Sequence, residues 1–336
     1  MKYEDVNMNG VYINGYGILL PEIKDSEEFI KRIEQGERLE HTSIDYVTEC
    51  MNSRSYRRMD RFSVLALLCF ENLMCKFKDA YEPNDIGTAV NTTYGCLEVN
   101  VDYLSELIEQ DYKDVSPIKF SHTVYNACLG HICKKFKLKG PSTMLLSSNS
   151  IYIAMSLLNS KKVKYMLVGG VEACLGELSD DFHSRDVITT ECGISLALAN
   201  EMNESTIGKI IDFNEYNFGG HPYLGDSSFD AQQINKNMLD LLEKYEISSE
   251  DIGLVVSSSL MSEELDEEIQ AIQSIFGERV IIKSLQSVVG ETLGASLELN
   301  MLYASLYLKN SEHLNYALVN HYDISGNYIT YLISRA

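Results

Sequence analysis

The sequence lacks several features that mark other protein classes. Its 336 residues include no tryptophan and only five prolines, and no Pro-rich or low-complexity stretch suggests a flexible linker. No run of eighteen apolar residues occurs, so we expect no membrane-spanning helix. The first ten residues are acidic and have no apolar core, so we expect no secretory signal and a cytoplasmic protein.

Basic residues are also scarce. The chain has 28 Lys and Arg against 49 Asp and Glu, a formal charge of −21. A chain of this charge repels phosphate backbones, which argues against nucleic-acid binding. Two local basic runs, RSYRRMDRF (54–62) and KKFKLKG (134–140), are typical of solvated surface and could instead meet an acidic partner.

The eight cysteines form no CxxC pair and lie beside no histidine cluster. Several sit in apolar surroundings, as in LLCFENLMC (67–75), which favours buried, reduced thiols. We therefore expect no metal site and no cofactor.

Strand and helix patterns alternate along the chain. Each half has the order β-α-β-α-β-α-β-β, which predicts an α/β protein with buried, mostly parallel sheets. The repeated order suggests a duplication, with halves at 1–205 and 206–336. Two such halves packed through their helices would form a five-layered αβαβα arrangement.

One turn has the layout of a nucleophile site. In GPSTMLLSSNSIYIAMSLL (140–158) a strand runs through a tight polar turn into an apolar helix, as where enzymes expose a nucleophile over a helix N-terminus. The tip of this turn is Asn149, whose amide cannot attack a thioester. Asn at this place is typical of a helix N-cap.

The chain resembles the β-ketoacyl synthases, which have the thiolase fold. No single segment carries the resemblance; it rests on several segments in the order of the family. The segments are VYINGYGILLPE (11–22), RRMDRFSVLAL (57–67), VSPIKFSHTVYNACLGHICKKFKLKGPS (115–142), YMLVGGVEA (165–173), SRDVITTECGISLAL (184–198), VVGETLGAS (288–296) and ALVNHYDISG (317–326).

The resemblance implies a condensation of acyl groups that needs a cysteine, two histidines and a lysine. The cysteine carries the acyl group, and the histidines stabilise the enolate formed by decarboxylation. The matching positions in this sequence hold other residues, and a different residue also stands at the gate phenylalanine. These positions are Asn149 for the cysteine, Ser258 and Glu291 for the histidines, Gln286 for the lysine and Ile324 for the gate.

The resemblance therefore predicts a catalytically inactive subunit. Its partner would be an active ketosynthase, whose dimer and acyl tunnel this chain would complete as chain length factors do, with an acyl carrier protein binding the complex. Segment 115–130 would cross the interface, with Ile118, Phe120, His122 and Tyr125 at the contact or pocket.

Two alternatives remain. The chain could instead be an acyltransferase or hydrolase that uses Ser148 or Ser150 as its nucleophile, with Glu291 assisting. An inactive homodimer could instead bind acyl groups or act as a scaffold.

Overall fold

The computed structural model describes residues 9–77, 79, 81–109, 115–173, 176–220, 230–258 and 262–336. Within this part of the chain the strands follow the predicted alternation. The strands are β1 (Val11–Leu19), β2 (Ile86–Thr92), β3 (Ser142–Leu146), β4 (Tyr165–Glu172), β5 (Cys192–Ala199), β6 (Gly208–Asn217), β7 (Ile252–Val256), β8 (Ile281–Lys283), β9 (Tyr316–Tyr322) and β10 (Asn327–Ser334).

The α-helices of the same described residues lie between these strands. The helices are α1 (Ser26–Gln35), α2 (Asp45–Met51), α3 (Arg61–Met74), α4 (Leu97–Glu109), α5 (Pro117–Ser121), α6 (Ala127–Phe136), α7 (Ser150–Asn159), α8 (Glu177–His183), α9 (Ala231–Lys244), α10 (Ser262–Phe276), α11 (Gln286–Val289) and α12 (Ser296–Asn310).

The sheet repeats one strand order. The order is β3-β2-β4-β5-β1-β6-β10-β9-β7-β8. Strands β1–β5 belong to the first half and β6–β10 to the second. From each edge of the sheet to its centre, the strands of a half follow in the order third, second, fourth, fifth, first. In both halves the first three of these strands are parallel and the last two antiparallel. Antiparallel pairing of β1 with β6 joins the halves. The predicted boundary after residue 205 lies between β5 and β6 and stays a prediction.

Three apolar clusters define the layers. The central cluster contains buried side chains of α7 and α12 with strands of both halves. One outer cluster packs α3 and α6 on the first half, and the other packs α9 and α10 on the second. Because α12 lies in the middle, it is buried on nearly every face, as expected for a central helix. The predicted αβαβα fold is confirmed.

Elements outside the repeat were harder to place. All ten strands fall within a few residues of their predicted positions. The stretch between α4 and β3, which the apolar pattern leaves irregular, contains α5 and α6.

No helix among the described residues has the length and apolar character to cross a bilayer.

The thiols are mostly buried, as expected. Of the seven cysteines in the described residues, five are buried, whereas Cys75 is exposed and Cys133 is intermediate. Burial raises the pKa of Cys69 to about 12 and of Cys96 to about 11, which keeps both thiols protonated and unreactive. Cys174 lies outside the described residues.

Candidate functional site

Asn149 lies at the expected turn and caps α7. Its Oδ1 accepts a hydrogen bond from the Tyr152 backbone N–H at 2.9 Å and another from Tyr331 Oη at 2.5 Å. The residue is only 5 % exposed. The N-cap predicted from the sequence is confirmed, and the hydrogen bond from Tyr331 ties the turn to β10 of the other half.

The serines beside Asn149 have different environments. Ser148 is half-buried, and its backbone N–H donates to Asn91 Oδ1 at 3.2 Å. Ser150 is fully buried, and its hydroxyl donates to Glu298. Ser147, just before them, has φ of +43°, a left-handed conformation that costs energy for a side chain with a Cβ. The turn is therefore strained two residues before Asn149, the predicted nucleophile position.

Glu298 is a buried acid on α12 that the sequence analysis missed. One oxygen accepts the Ser150 hydrogen bond, and Oε2 accepts none from the described residues. Oε2 packs against Gly170, where a Cβ would lie 2.3 Å away. Burial raises the Glu298 pKa to about 7. Because α12 is apolar on all sides, its lone glutamate could have been recognised as buried from the helix pattern.

Gln286 and Glu291, at the positions predicted for the lysine and the second histidine, are hydrogen-bonded to each other. The Gln286 amide donates to Glu291 Oε2 at 2.6 Å. The other Glu291 oxygen accepts from Leu293 N at 2.6 Å and from Ser296 Oγ at 3.0 Å. Glu291 is 2 % exposed. These bonds make Glu291 an acceptor that holds the loop before α12 in place.

Ser258, at the position predicted for the first histidine, belongs to a separate hydrogen-bond network. Its hydroxyl donates to Glu268 Oε2 at 2.9 Å, and its backbone N–H donates to the same carboxyl group. Asn320 Nδ2 donates to Glu268 Oε1 at 3.0 Å, and Tyr328 Oη donates to the same oxygen at 2.5 Å. Both Ser258 and Glu268 are fully buried, so neither is positioned to meet a substrate.

A small polar cleft remains between the halves, and we call it the remnant cleft. It leaves about 10 Å³ for the centre of a water molecule, roughly the room that one water needs. Ile324, at the gate position, lines it and also packs against the cluster of Phe182, Val187 and Leu293. The complete lining is Asn91, Thr93, Ser147, Glu291, Leu293, Gly294, His321, Tyr322, Asp323 and Ile324.

His321, on β9, is the only imidazole among the residues that line the remnant cleft. It is 4 % exposed, and burial lowers its pKa, so the ring is neutral at pH 7. The sequence analysis missed it because it occupies no catalytic position of the family. The cleft brings together Glu291 and Ile324 from the predicted site, whereas Ser258 lies outside its lining.

The segment predicted to form an interface is exposed and apolar. Ile118 is 47 % and Phe120 60 % exposed, and α4 and α5 bury no residue at all. Tyr125 is half-buried and packs on Gly95, whose positive φ of +52° and lack of a Cβ make room for the ring. We name this surface, with the free edge of β3, the apolar edge; its exposed side chains are Val101, Leu104, Leu107, Ile108, Ile118, Phe120, Val124 and Leu146.

His122 lies beneath the apolar edge and pairs with Asp60. The His122 Nδ1 and Asp60 Oδ1 atoms are 3.2 Å apart, and the ring stacks on His131 with centroids 5.8 Å apart. Interaction with Asp60 raises the His122 pKa, whereas burial and the His122 charge lower the His131 pKa. His122 therefore holds the proton of the stacked pair and fixes α5 to the N-terminus of α3.

Replacing His122 with Gln should cost more stability at pH 6 than at pH 9. A raised histidine pKa stabilises the fold fully below its unfolded value of 6.5, and this contribution is lost as pH rises through the folded pKa. An ion pair near the surface contributes up to about 1 kcal/mol, so we expect a loss of about that size at pH 6. Urea unfolding at both pH values measures it, with His183→Gln, an exposed site, as control; equal losses at both pH values would disprove the assignment.

No group of three metal-ligating side chains occurs among the described residues. The side chains around the remnant cleft carry hydroxyl, amide and carboxyl groups and one neutral imidazole, with room for about one water between them. The cleft contains hydrogen-bonding groups and no described thiol. Such groups can hold the two halves together through hydrogen bonds.

Comparison with protein families identifies one domain. Residues 39–192 match the model of the β-ketoacyl synthase N-terminal domain. This range contains the turn around Asn149 and all of the apolar edge. No curated protein matches the sequence.

Solved structures share the fold over nearly the whole chain. The ishigamide ketosynthase/chain length factor has a TM-score of 0.81 at 15 % identity, covering 97 % of this chain and 99 % of the other. A type II polyketide ketosynthase in complex with its acyl-carrier protein has a TM-score of 0.79 at 14 % identity, covering 98 % and 100 %.

A ketosynthase in complex with its chain length factor, from Xenorhabdus doucetiae, has a TM-score of 0.73 at 17 % identity and covers 100 % of both chains. At these identities the structures show the fold alone. The chain therefore matches the β-ketoacyl synthase N-terminal domain over residues 39–192, and it has the thiolase-like fold of ketosynthases and chain length factors.

Proposed function

We propose that the chain is a catalytically inactive subunit that pairs with an active ketosynthase in polyketide or fatty-acid synthesis. In the pair it completes the dimer and shapes the acyl tunnel, as a chain length factor does. A cytoplasmic location is part of the proposal. Two structures with this fold are described as ketosynthases with a chain length factor, which supports the pairing.

The apolar edge is the observation that carries this proposal. Eight of its side chains are each at least 37 % exposed, and they belong to one stretch of the chain between residues 101 and 146. Contiguous apolar surface of this kind marks protein interfaces. The edge strand β3 adds unpaired backbone groups that a second strand can bond. The surface therefore has the composition of an interface core.

The residues at the predicted catalytic positions support a catalytically inactive chain. Asn149 is a helix cap, Ser258 is sealed against Glu268, and Gln286 and Glu291 bind each other. Each is held by hydrogen bonds to residues of this chain, so none is poised for an incoming thioester. The remnant cleft has room for about one water, which leaves the acyl chain to a tunnel in the partner or between the two subunits.

The acyl-transfer alternative has less support. Ser150 is fully buried and bonded to Glu298 instead of the predicted Glu291. Ser148 is more accessible, but its contact is through the backbone to Asn91. No described hydrogen bond links either serine to Glu291, which weakens the predicted arrangement of nucleophile and base.

A carrier protein is the second partner in the proposal. One structure with this fold is described as a ketosynthase bound to its acyl-carrier protein. Carrier proteins are acidic, and this chain has a charge of −21. Like charges disfavour encounter, so we propose that the carrier binds the complex mainly through the ketosynthase.

Co-expression with a ketosynthase encoded beside this gene tests the pairing. We expect a stable one-to-one heterodimer in size-exclusion chromatography coupled to light scattering, with an interface of at least about 1,600 Å². Incubation with acyl-carrier substrates should leave the mass of this chain unchanged. A homodimer that does not bind the ketosynthase would favour the scaffold alternative. An acyl adduct that is lost in Ser148→Ala or Ser150→Ala would favour the acyl-transfer alternative.

Restoring the cysteine alone should not restore activity. In Asn149→Cys the thiol would lack both histidines and the lysine, so we expect no condensation and no decarboxylation of a malonyl carrier protein. Loss of the cap should cost about 1 kcal/mol of stability. Product release and intact mass are measured against an active ketosynthase; turnover by the variant would contradict the proposed inactivity.

A further inference from the structure

A second and larger cleft lies away from the remnant cleft, beside the part of β1 that β6 does not cover. The antiparallel pairing of β1 with β6 extends only over Val11–Ile13, and β1 continues beyond Ile13 along β5, so that its other side forks away from the chain leading into β6. The cleft at this side of β1 holds about 370 Å³, within the range of small-molecule sites. We call it the fork cleft.

Two lysines line the fork cleft and keep donor capacity. Lys309 Nζ donates to the Thr206 carbonyl oxygen at 3.2 Å, and Lys76 Nζ lies 5.2 Å from the centre of the Tyr16 ring. Both of these partners are neutral. Because an ammonium group has three donors, each lysine retains hydrogens for a ligand.

One part of the fork cleft is apolar, whereas Asn14, Ser26, Ser205 and Asn310 add polar groups to its lining. Ile207 and Leu306 are buried at its base, and Ile30 and the Tyr16 ring form half-buried sides. Glu27 also lines the cleft, at the first turn of α1, so that the formal charge of the lining is +1. The lining is therefore weakly positive, although the whole chain has a formal charge of −21.

We propose that the fork cleft binds an aliphatic monocarboxylate, with its chain against Ile207 and Leu306 and its carboxylate at Lys76 and Lys309. A carboxylate matches the two ammonium groups, since hydrogen bonds between charged partners are the strong ones. The apolar part of the lining favours a ligand with an alkyl chain over a bare inorganic anion. The formal charge of +1 in the lining favours a ligand with a single negative charge. This site is independent of the ketosynthase partner.

Calorimetric titration of the full chain with hexanoate tests the proposal. We expect saturable one-to-one binding, and at least tenfold weaker binding of 1-hexanol, which lacks the charge, and of inorganic phosphate, which lacks the chain. Lys76→Met and Lys309→Met should each weaken hexanoate binding about tenfold, because a hydrogen bond to a charged group is lost. Lys31→Met, an exposed change on α1, should bind as the unaltered protein does.

Filling the cleft provides a second test that keeps both charges. Ile30→Trp should abolish hexanoate binding while both lysines remain, and its thermal unfolding shows that it is folded. The proposal is wrong if hexanoate does not saturate, if phosphate binds as tightly, or if the lysine variants and Ile30→Trp bind hexanoate as the unaltered protein does.

Discussion

Replacing Phe120 with glutamate should abolish capture of a ketosynthase and leave the fold intact. Phe120 is 60 % exposed and contacts the Tyr103 ring at 5.7 Å, so that little of its surface supports the isolated chain. In the proposed interface the ring would be buried, and an unpaired carboxylate there is costly. Loss of a central aromatic contact weakens binding by about 2 kcal/mol or more, roughly thirtyfold.

The matched control is Leu239→Glu. Leu239 is 46 % exposed on α9, which packs on the outer face of the second half, away from the apolar edge. Affinity capture of co-expressed ketosynthase, followed by thermal unfolding of each variant, compares the two changes. If Leu239→Glu reduces capture as much as Phe120→Glu does, or if Phe120→Glu has no effect, the apolar edge is not the interface.

Replacing Glu298 with glutamine should stabilise the protein above pH 7. The Glu298 pKa is raised from 4.5 to about 7 by burial. Between these values the unfolded chain has released a proton that the folded chain still holds, so the free energy of unfolding falls as pH rises. The full loss above pH 7 is about 3 kcal/mol, and glutamine, which cannot ionise, should avoid it while accepting the Ser150 hydrogen bond.

Denaturant unfolding at pH 5 and pH 8.5 measures this difference. The stability of the unaltered protein should fall between these pH values by more than that of Glu298→Gln, whereas Glu243→Gln, an exposed change on α9, should follow the unaltered protein. Parallel pH profiles for Glu298→Gln and the unaltered protein would show that folding does not raise the Glu298 pKa.

The fold could be predicted because its signals are local and repeated. Alternating strands and helices place every strand, and Asn149 reads as a cap because side-chain oxygens before an apolar helix bond its free N–H groups. The short helix α5 buries no residue, so its apolar side chains belong to a surface and periodicity alone does not find it. In α6 only Cys128, Leu129 and Ile132 are buried, which is a short apolar pattern.

The candidate site was harder to predict because its contacts join distant parts of the chain. Ser150 bonds to Glu298 across 148 positions and Asn149 to Tyr331 across 182, and no local pattern reports such pairs. Glu291 seemed free to act as an acid or base, but the Gln286 amide and the Leu293 backbone hold it. His321 was overlooked because only the packing of β9 brings it to the cleft.

The repeated strand order gives the sheet two open ends that differ in character. β3 forms one end, beside exposed apolar side chains, whereas β8, its counterpart, has three residues and includes Lys283, which pairs with Glu34 at 3.4 Å. Short, charged edge strands resist further pairing. Sheet-to-sheet association through β3 would therefore stop at two chains, and the duplication does not carry the risk of polymerising into a fibre.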